Sequence, residues 1–107
     1  MSYIDKNIAL KYLANSEKIF DKIKNKFLDD YKDFVVDLEK ISSTNQIEEI
    51  YRYIHSLKGV SLYIGSQVLY DDCTVFLDKI KMEGTNIPSL EQIINTMKNV
   101  YFELENS

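Results

Sequence analysis

Ile47-Glu48-Glu49-Ile50-Tyr51-Arg52-Tyr53-Ile54-His55-Ser56-Leu57-Lys58-Gly59-Val60-Ser61-Leu62-Tyr63-Ile64-Gly65 carries an apolar stripe at helical period. Ile47, Ile50, Ile54, Leu57 and Ile64 recur at three, four or seven residues, and Ser61 fills the gap before Ile64. At about 3.6 residues per turn they share one face, which has to be buried against another helix. His55 stands about 100° round from Ile54, at the edge of that face. Lys58 and Gly59 follow it at three and four residues and lie on its side of the helix. Gly65 comes ten residues after His55 and ends the helical pattern as a helix stop.

The same periodicity runs outward in both directions. Phe20, Ile23, Phe27, Phe34, Leu38 and Ile41 predict one long helix before the motif. Leu69, Cys73, Phe76 and Ile80 predict a helix after it, and Leu90, Ile93, Ile94, Met97, Tyr101 and Leu104 predict the last. The breaks are short: Ala14-Asn15-Ser16, with Ser16 as an N-cap, then Ser42 to Asn45, then Gly65-Ser66. Met82 to Pro88 is the longest and holds the only proline. Four amphipathic helices joined by short turns imply an all-α fold, an up-down-up-down antiparallel four-helix bundle. A shorter segment, about residues 4 to 13, is expected to cap one end. Residues 1–107 are expected to form one domain.

Composition excludes several function classes. Thirteen basic and 17 acidic residues give a net charge of −4, which argues against nucleic-acid or anionic-membrane binding. Cys73 is the only cysteine, so no intrachain disulfide forms and a reducing compartment fits. No apolar run approaches the roughly 20 residues needed to span a bilayer. The opening Met-Ser-Tyr-Ile-Asp-Lys-Asn lacks a signal-peptide core, so a cytoplasmic protein is expected. The opening methionine and the absence of linkers favour a free-standing protein. One histidine, one cysteine and the Asp71-Asp72 pair make no recognisable metal set, and no metal site is expected. No Walker sequence or Gly-rich kinase loop is present, so the chain cannot take phosphate from ATP itself.

His55 itself suggests chemistry. A neutral imidazole attacks electrophilic phosphorus through a ring nitrogen. A neighbouring ammonium, here Lys58, stabilises charge on a transferring phosphoryl group. Glycine in mid-helix costs about 1 kcal/mol relative to alanine, so Gly59 serves either close helix packing or access for a partner. Arg52, three residues before His55, either neutralises phosphoryl charge or is simply solvated. Tyr51 and Leu62 share the His55 face as core-edge residues or as a candidate docking rim.

The run His55-Ser56-Leu57-Lys58-Gly59, followed by Val60 to Ile64 and then Gly65, resembles the H-x-L-K-G-x5-G pattern of histidine-containing phosphotransfer (HPt) domains of two-component phosphorelays. The order of helices resembles that family over most of the chain. The resemblance implies that His55 is the phosphoacceptor, through Nε2, and that Lys58 stabilises the phosphoryl group. Gly59 would give the partner access. It implies a phosphocarrier without kinase activity that shuttles phosphate between the aspartates of response-regulator receiver domains, including those of hybrid histidine kinases. This chain would hold no cofactor, and Mg²⁺ is expected on the receiver. A departure lies at Leu62 and Tyr63, where the family usually has a small residue and a small polar one. That departure keeps a different class open: a helical interaction module that binds a receiver or kinase without carrying phosphate. A third reading is the dimerising phosphoacceptor helix pair of a histidine kinase. The chain has enough helices to close a bundle alone, so a monomer is expected.

Overall fold

Polar caps open the early helices of the fold. The Asp5 side chain accepts from Asn7 N–H at 2.9 Å and starts α1, Lys6–Tyr12. Ser16 Oγ accepts from Ile19 N–H at 3.2 Å and starts α2, Glu17–Asp30. Both satisfy an amide that a helix N-terminus leaves without a partner. Between them Ala14 and Asn15 turn the chain at positive φ. The structure, a computed structural model, describes residues 2–83 and 87–107. Its remaining helices are α3 (Phe34–Thr44), α4 (Ile47–Ser61), α5 (Gln67–Glu83) and α6 (Glu91–Glu105). Among the described residues there is no strand. Of the expected Met82 to Pro88 break, Gly84, Thr85 and Asn86 lie outside the described residues.

The single long helix expected over Phe20 to Ile41 is two helices. Turn residues Tyr31, Lys32 and Asp33 separate α2 from α3. Local charge favours the break. Asp29 and Asp30 occupy the last turn of α2, where the helix dipole disfavours acids; that turn holds no basic residue, and only exposed ion pairs to Lys26 and Lys32 offset the two charges. Asp33 and Asp37 stand at the start of α3, where the dipole favours them. Packing completes it: the Tyr101 hydroxyl of α6 donates to the carbonyl of Leu28, one of the four that the end of α2 leaves free. Tyr31 lies 4.8 Å from Phe27 and 5.8 Å from Tyr53, ring to ring, and fills the corner.

The helices bury the stripes that periodicity marks. Phe20, Phe27, Phe34, Leu38, Ile50, Ile54, Leu57, Ile64, Leu69, Cys73, Phe76, Ile80, Leu90, Ile93, Met97 and Leu104 belong to one core cluster. Ala9, Leu13, Leu77 and Val100 join it. α4 packs along α5, α5 along α6, and the α2–α3 pair touches both α4 and α6. The molecule measures 41 × 25 × 24 Å. A 17-residue helix spans only about 26 Å, so the long axis exceeds any one helix. No described helix is long and apolar enough to cross a membrane.

A turn and a strap fix the end of the molecule beside His55. α4 tightens into a 3₁₀ turn, Leu62–Ile64, and closes with Gly65 at φ 86°. Gly65 N–H donates to Leu62 O at 3.1 Å, and Ser66 N–H to Ser61 O at 2.9 Å. That pair of bonds is the Schellman arrangement, which calls for a residue in the left-handed region. Ser66 Oγ then accepts from Leu69 N–H and caps α5. Against this turn lies the N-terminal strap. Asp5 N–H donates to Gly65 O at 2.8 Å, and a Cβ on Gly65 would stand 2.3 Å from Asp5 O. Further back, the Glu103 carboxylate of α6 accepts from Ser2 Oγ, Tyr3 N–H and Ile4 N–H.

Candidate functional site

α4 presents His55 outward. Ile54 and Leu57 on either side of it are fully buried, while the histidine is exposed. Two residues in the first turn of α4, Glu48 and Glu49, and one in its last, Lys58, suit the helix dipole, so this helix is supported at both ends without a side-chain N-cap. The His55 ring stacks on Tyr51 one turn earlier, with centroids 5.9 Å apart and planes 16° from parallel. Among the described residues no protein group hydrogen-bonds either ring nitrogen. The stacking therefore holds the ring through its face and not through its nitrogens.

Lys58 is half-buried and reaches sideways. Its Nζ stands 5.2 Å from the centre of the Tyr70 ring on α5, a cation–π contact that holds the ammonium near the groove between the two helices. Gly59 is exposed, and apart from its own helix turn no atom of the described residues lies within 4 Å of where a Cβ would stand. The close-packing explanation for this glycine therefore finds no partner element among the described residues. Open access remains.

A depression of about 250 Å³ brings these residues together. His55, Lys58, Gly59 and Leu62 line it, with Tyr63 beside them and with Tyr12 and Tyr70 arriving from α1 and α5. Among the described residues no carboxylate lines it and its one fixed charge is the Lys58 cation, in a chain whose net charge is −4. On the other side of His55 a second depression of about 460 Å³ is lined by Ile47, Glu48, Tyr51 and Arg52. Arg52 is exposed and makes no ion pair among the described residues. Tyr51 and Arg52 thus flank His55 on one side, and Lys58, Gly59 and Leu62 on the other. Gly65 stands apart from them, buried under Asp5.

Tyr12 and Tyr70 are lining residues that motif spacing does not reveal. Neither shares a helix with His55, so no local period connects them to it. Tyr63 lies in the motif itself, and its ring meets that of Tyr12 edge-on at 6.0 Å.

Other reactive groups are set aside by their surroundings. Cys73 is fully buried, and burial pushes its thiol up to about 12, reinforced by Asp72 and partly offset by Lys58. A thiol in that state is inert at neutral pH. Asp72 accepts from Thr96 Oγ1 and so ties α5 to α6, while Asp71 is exposed and accepts from Gln67 Nε2 one turn back on its own helix. Among the described residues no three His, Cys, Asp or Glu side chains converge as metal ligands. No family model, curated protein or solved structure matches the chain.

Proposed function

We propose that the protein is a histidine phosphotransfer protein of a multistep two-component relay, carrying a phosphoryl group on His55 between receiver-domain aspartates. The observation that supports this reading most is the depression shared by an exposed imidazole, an ammonium and a glycine with open space beyond it. A carrier needs those three things: a nucleophile that solvent and partner can reach, a cation for the phosphoryl oxygens, and no side chain in the path of approach. In this reading α2–α3, α4, α5 and α6 are the four arms of an up-down-up-down bundle, with α2 and α3 as one bent arm and α1 capping one end.

In the transfer step the Nε2 lone pair attacks phosphorus in line with the P–O bond of an aspartyl phosphate. A P–N bond forms as the P–O bond breaks, and the aspartate carboxylate leaves with the bond's electron pair. The Nδ1 proton offsets the new phosphoryl charge and passes to water when the ring deprotonates. Lys58 swings from Tyr70 to the equatorial oxygens. The receiver brings its own Mg²⁺. The reverse sequence delivers phosphate to a second receiver, and partner phosphorylation sets the direction. The carrier works as a cytoplasmic monomer whose complexes are transient.

Leu62 and Tyr63 favour a second reading. Both line the depression beside His55 with bulky side chains, which suits a docking module that never takes phosphate. Incubation with phosphorylated receiver domains separates the two. The carrier takes up label that is lost in acid and kept in base, as a phosphoramidate bond requires. A module that binds receivers yet takes up no label from any of them would replace the first reading with the second.

A further inference from the structure

α1 has a buried side and an exposed one, and Tyr12 on the exposed side lines the site. Ala9 and Leu13 sit in the core, at 0% and 7% exposure, and account for how the helix docks. Tyr12 contributes little to that docking and is 55% exposed. Its ring edge meets Tyr63, itself 42% exposed, and the two close one side of the depression that holds His55, Lys58 and Gly59. Two exposed aromatics in contact beside a reactive group form an amphipathic rim of the kind that anchors partners.

The chain also works to hold Tyr12 there. A seven-residue helix has no stability of its own. α1 is held from its N-terminal side by the Asp5–Gly65 backbone bond and by the three donors that Ser2, Tyr3 and Ile4 direct at Glu103. Gly65 lacks the Cβ that would block this approach. A tie of this kind keeps Tyr12 in fixed relation to a histidine on another helix.

We infer that Tyr12 is a specificity-determining residue of the His55 site, forming the part of its rim against which an incoming phospho-aspartyl receiver domain must fit. The inference rests on the phosphotransfer reading of His55. Charge complementarity supports that occupant: among the described residues the depression carries one cation and no carboxylate, and it accepts a dianionic phosphoryl group that the rest of an acidic surface repels. Tyr12 acts on docking and not on bond making, since it lies on the rim and carries no charge toward phosphorus.

The test uses the full chain and a panel of purified receiver domains, each phosphorylated on its aspartate with acetyl phosphate. Transfer rate is followed against receiver concentration. Tyr12→Ala is expected to raise the half-saturating concentration about tenfold with the maximal rate within about twofold, the signature of lost binding without lost chemistry. Tyr12→Phe keeps the ring and is expected to restore wild-type half-saturation. Wild-type half-saturation in Tyr12→Ala would overturn the inference, as would a fall in maximal rate alone. If Tyr12→Ala melts early, Tyr63→Ala decides from the other side of the pair: a raised half-saturation supports the rim, and an unchanged one overturns it. Label on both proteins with the same half-saturating concentration sinks only this inference. Absence of label on wild type from every receiver sinks the phosphotransfer reading and this inference with it.

Discussion

Gly59 and Gly65 stand six residues apart on one helix and its end, and they are glycines for opposite reasons. Around Gly59 there is open space, and its helix pays for the missing methyl. Gly59→Ala is therefore expected to stabilise the fold by up to about 1 kcal/mol, raising the melting temperature by several degrees. A lower melting temperature would mean that the space is not open. Gly59→Leu is expected to fold and to lose receiver affinity, because its side chain fills the approach to His55. At Gly65 the backbone sits at φ 86° and a Cβ would collide with Asp5 O. Gly65→Ala is expected to destabilise by about 1–3 kcal/mol, read in the same melting experiment. The motif spacing points to both glycines, and Gly65 reads as a helix stop from sequence alone. The contact with Asp5 does not, because the two are 60 positions apart and no period links them. Lys58 is similar: its spacing from His55 is plain, while its perch on Tyr70 depends on how α4 and α5 pack.

At the scale of elements, α4, α5 and α6 follow from periodicity because each buries a stripe that the sequence spells in phase. The α2–α3 break is hidden for the same reason. Phe27 and Phe34 are seven residues apart, two turns of helix within about 20°, so the stripe passes through the break in register. What divides the helix is an acidic last turn and a hydroxyl from α6. Tyr101→Phe keeps the ring against Phe34 and removes only the bond to Leu28 O. A loss of about 1 kcal/mol is expected in denaturant unfolding; no loss would mean that water serves that carbonyl equally well. Titration gives a second reading of the same corner. Burial raises the Tyr31 hydroxyl above the usual tyrosine value, helped by Asp30 and Cys73. Burial likewise raises Tyr101, helped by Glu105, Asp29 and Asp33. Their unfolded forms release protons near pH 10 while the folded forms still hold them. The stabilising contribution is complete below that pH and is lost as pH rises through the folded values. Alkaline unfolding is expected to set in above about pH 10, with a shallower slope in Tyr101→Phe.

At the scale of the whole molecule, the N-terminus and C-terminal helix are joined through one carboxylate. Partial desolvation works against the charge on Glu103, and the bonds from Tyr3, Ser2 and Ile4 overcome it, so the group lies below the usual carboxylate value. The strap's contribution is then present above the ordinary glutamate value of about 4.3 and fades as pH falls through the lower folded value. Hydrogen exchange checks this directly. Tyr3 and Ile4 amides are expected to be protected at neutral pH and to lose protection in acid, and to lose it at neutral pH in Glu103→Gln, where an amide donor must face one of the three donors. Protection unchanged in the variant would show that the strap is held by Asp5 and Gly65 alone. Nothing local announces this tie, since its partners lie some hundred residues apart, and it is what carries Tyr12 to the rim of a site built on α4.

The phosphoryl group proposed for His55 joins these scales, and whether His55 takes it is the most direct thing to measure. Wild type and His55→Gln, both confirmed folded by melting, are incubated with the same labelled phospho-receiver and the acid-labile label on each is counted. Label on wild type and none on His55→Gln is the expected result. Label of equal amount on both would place the phosphate elsewhere and contradict the assignment of His55 as its carrier.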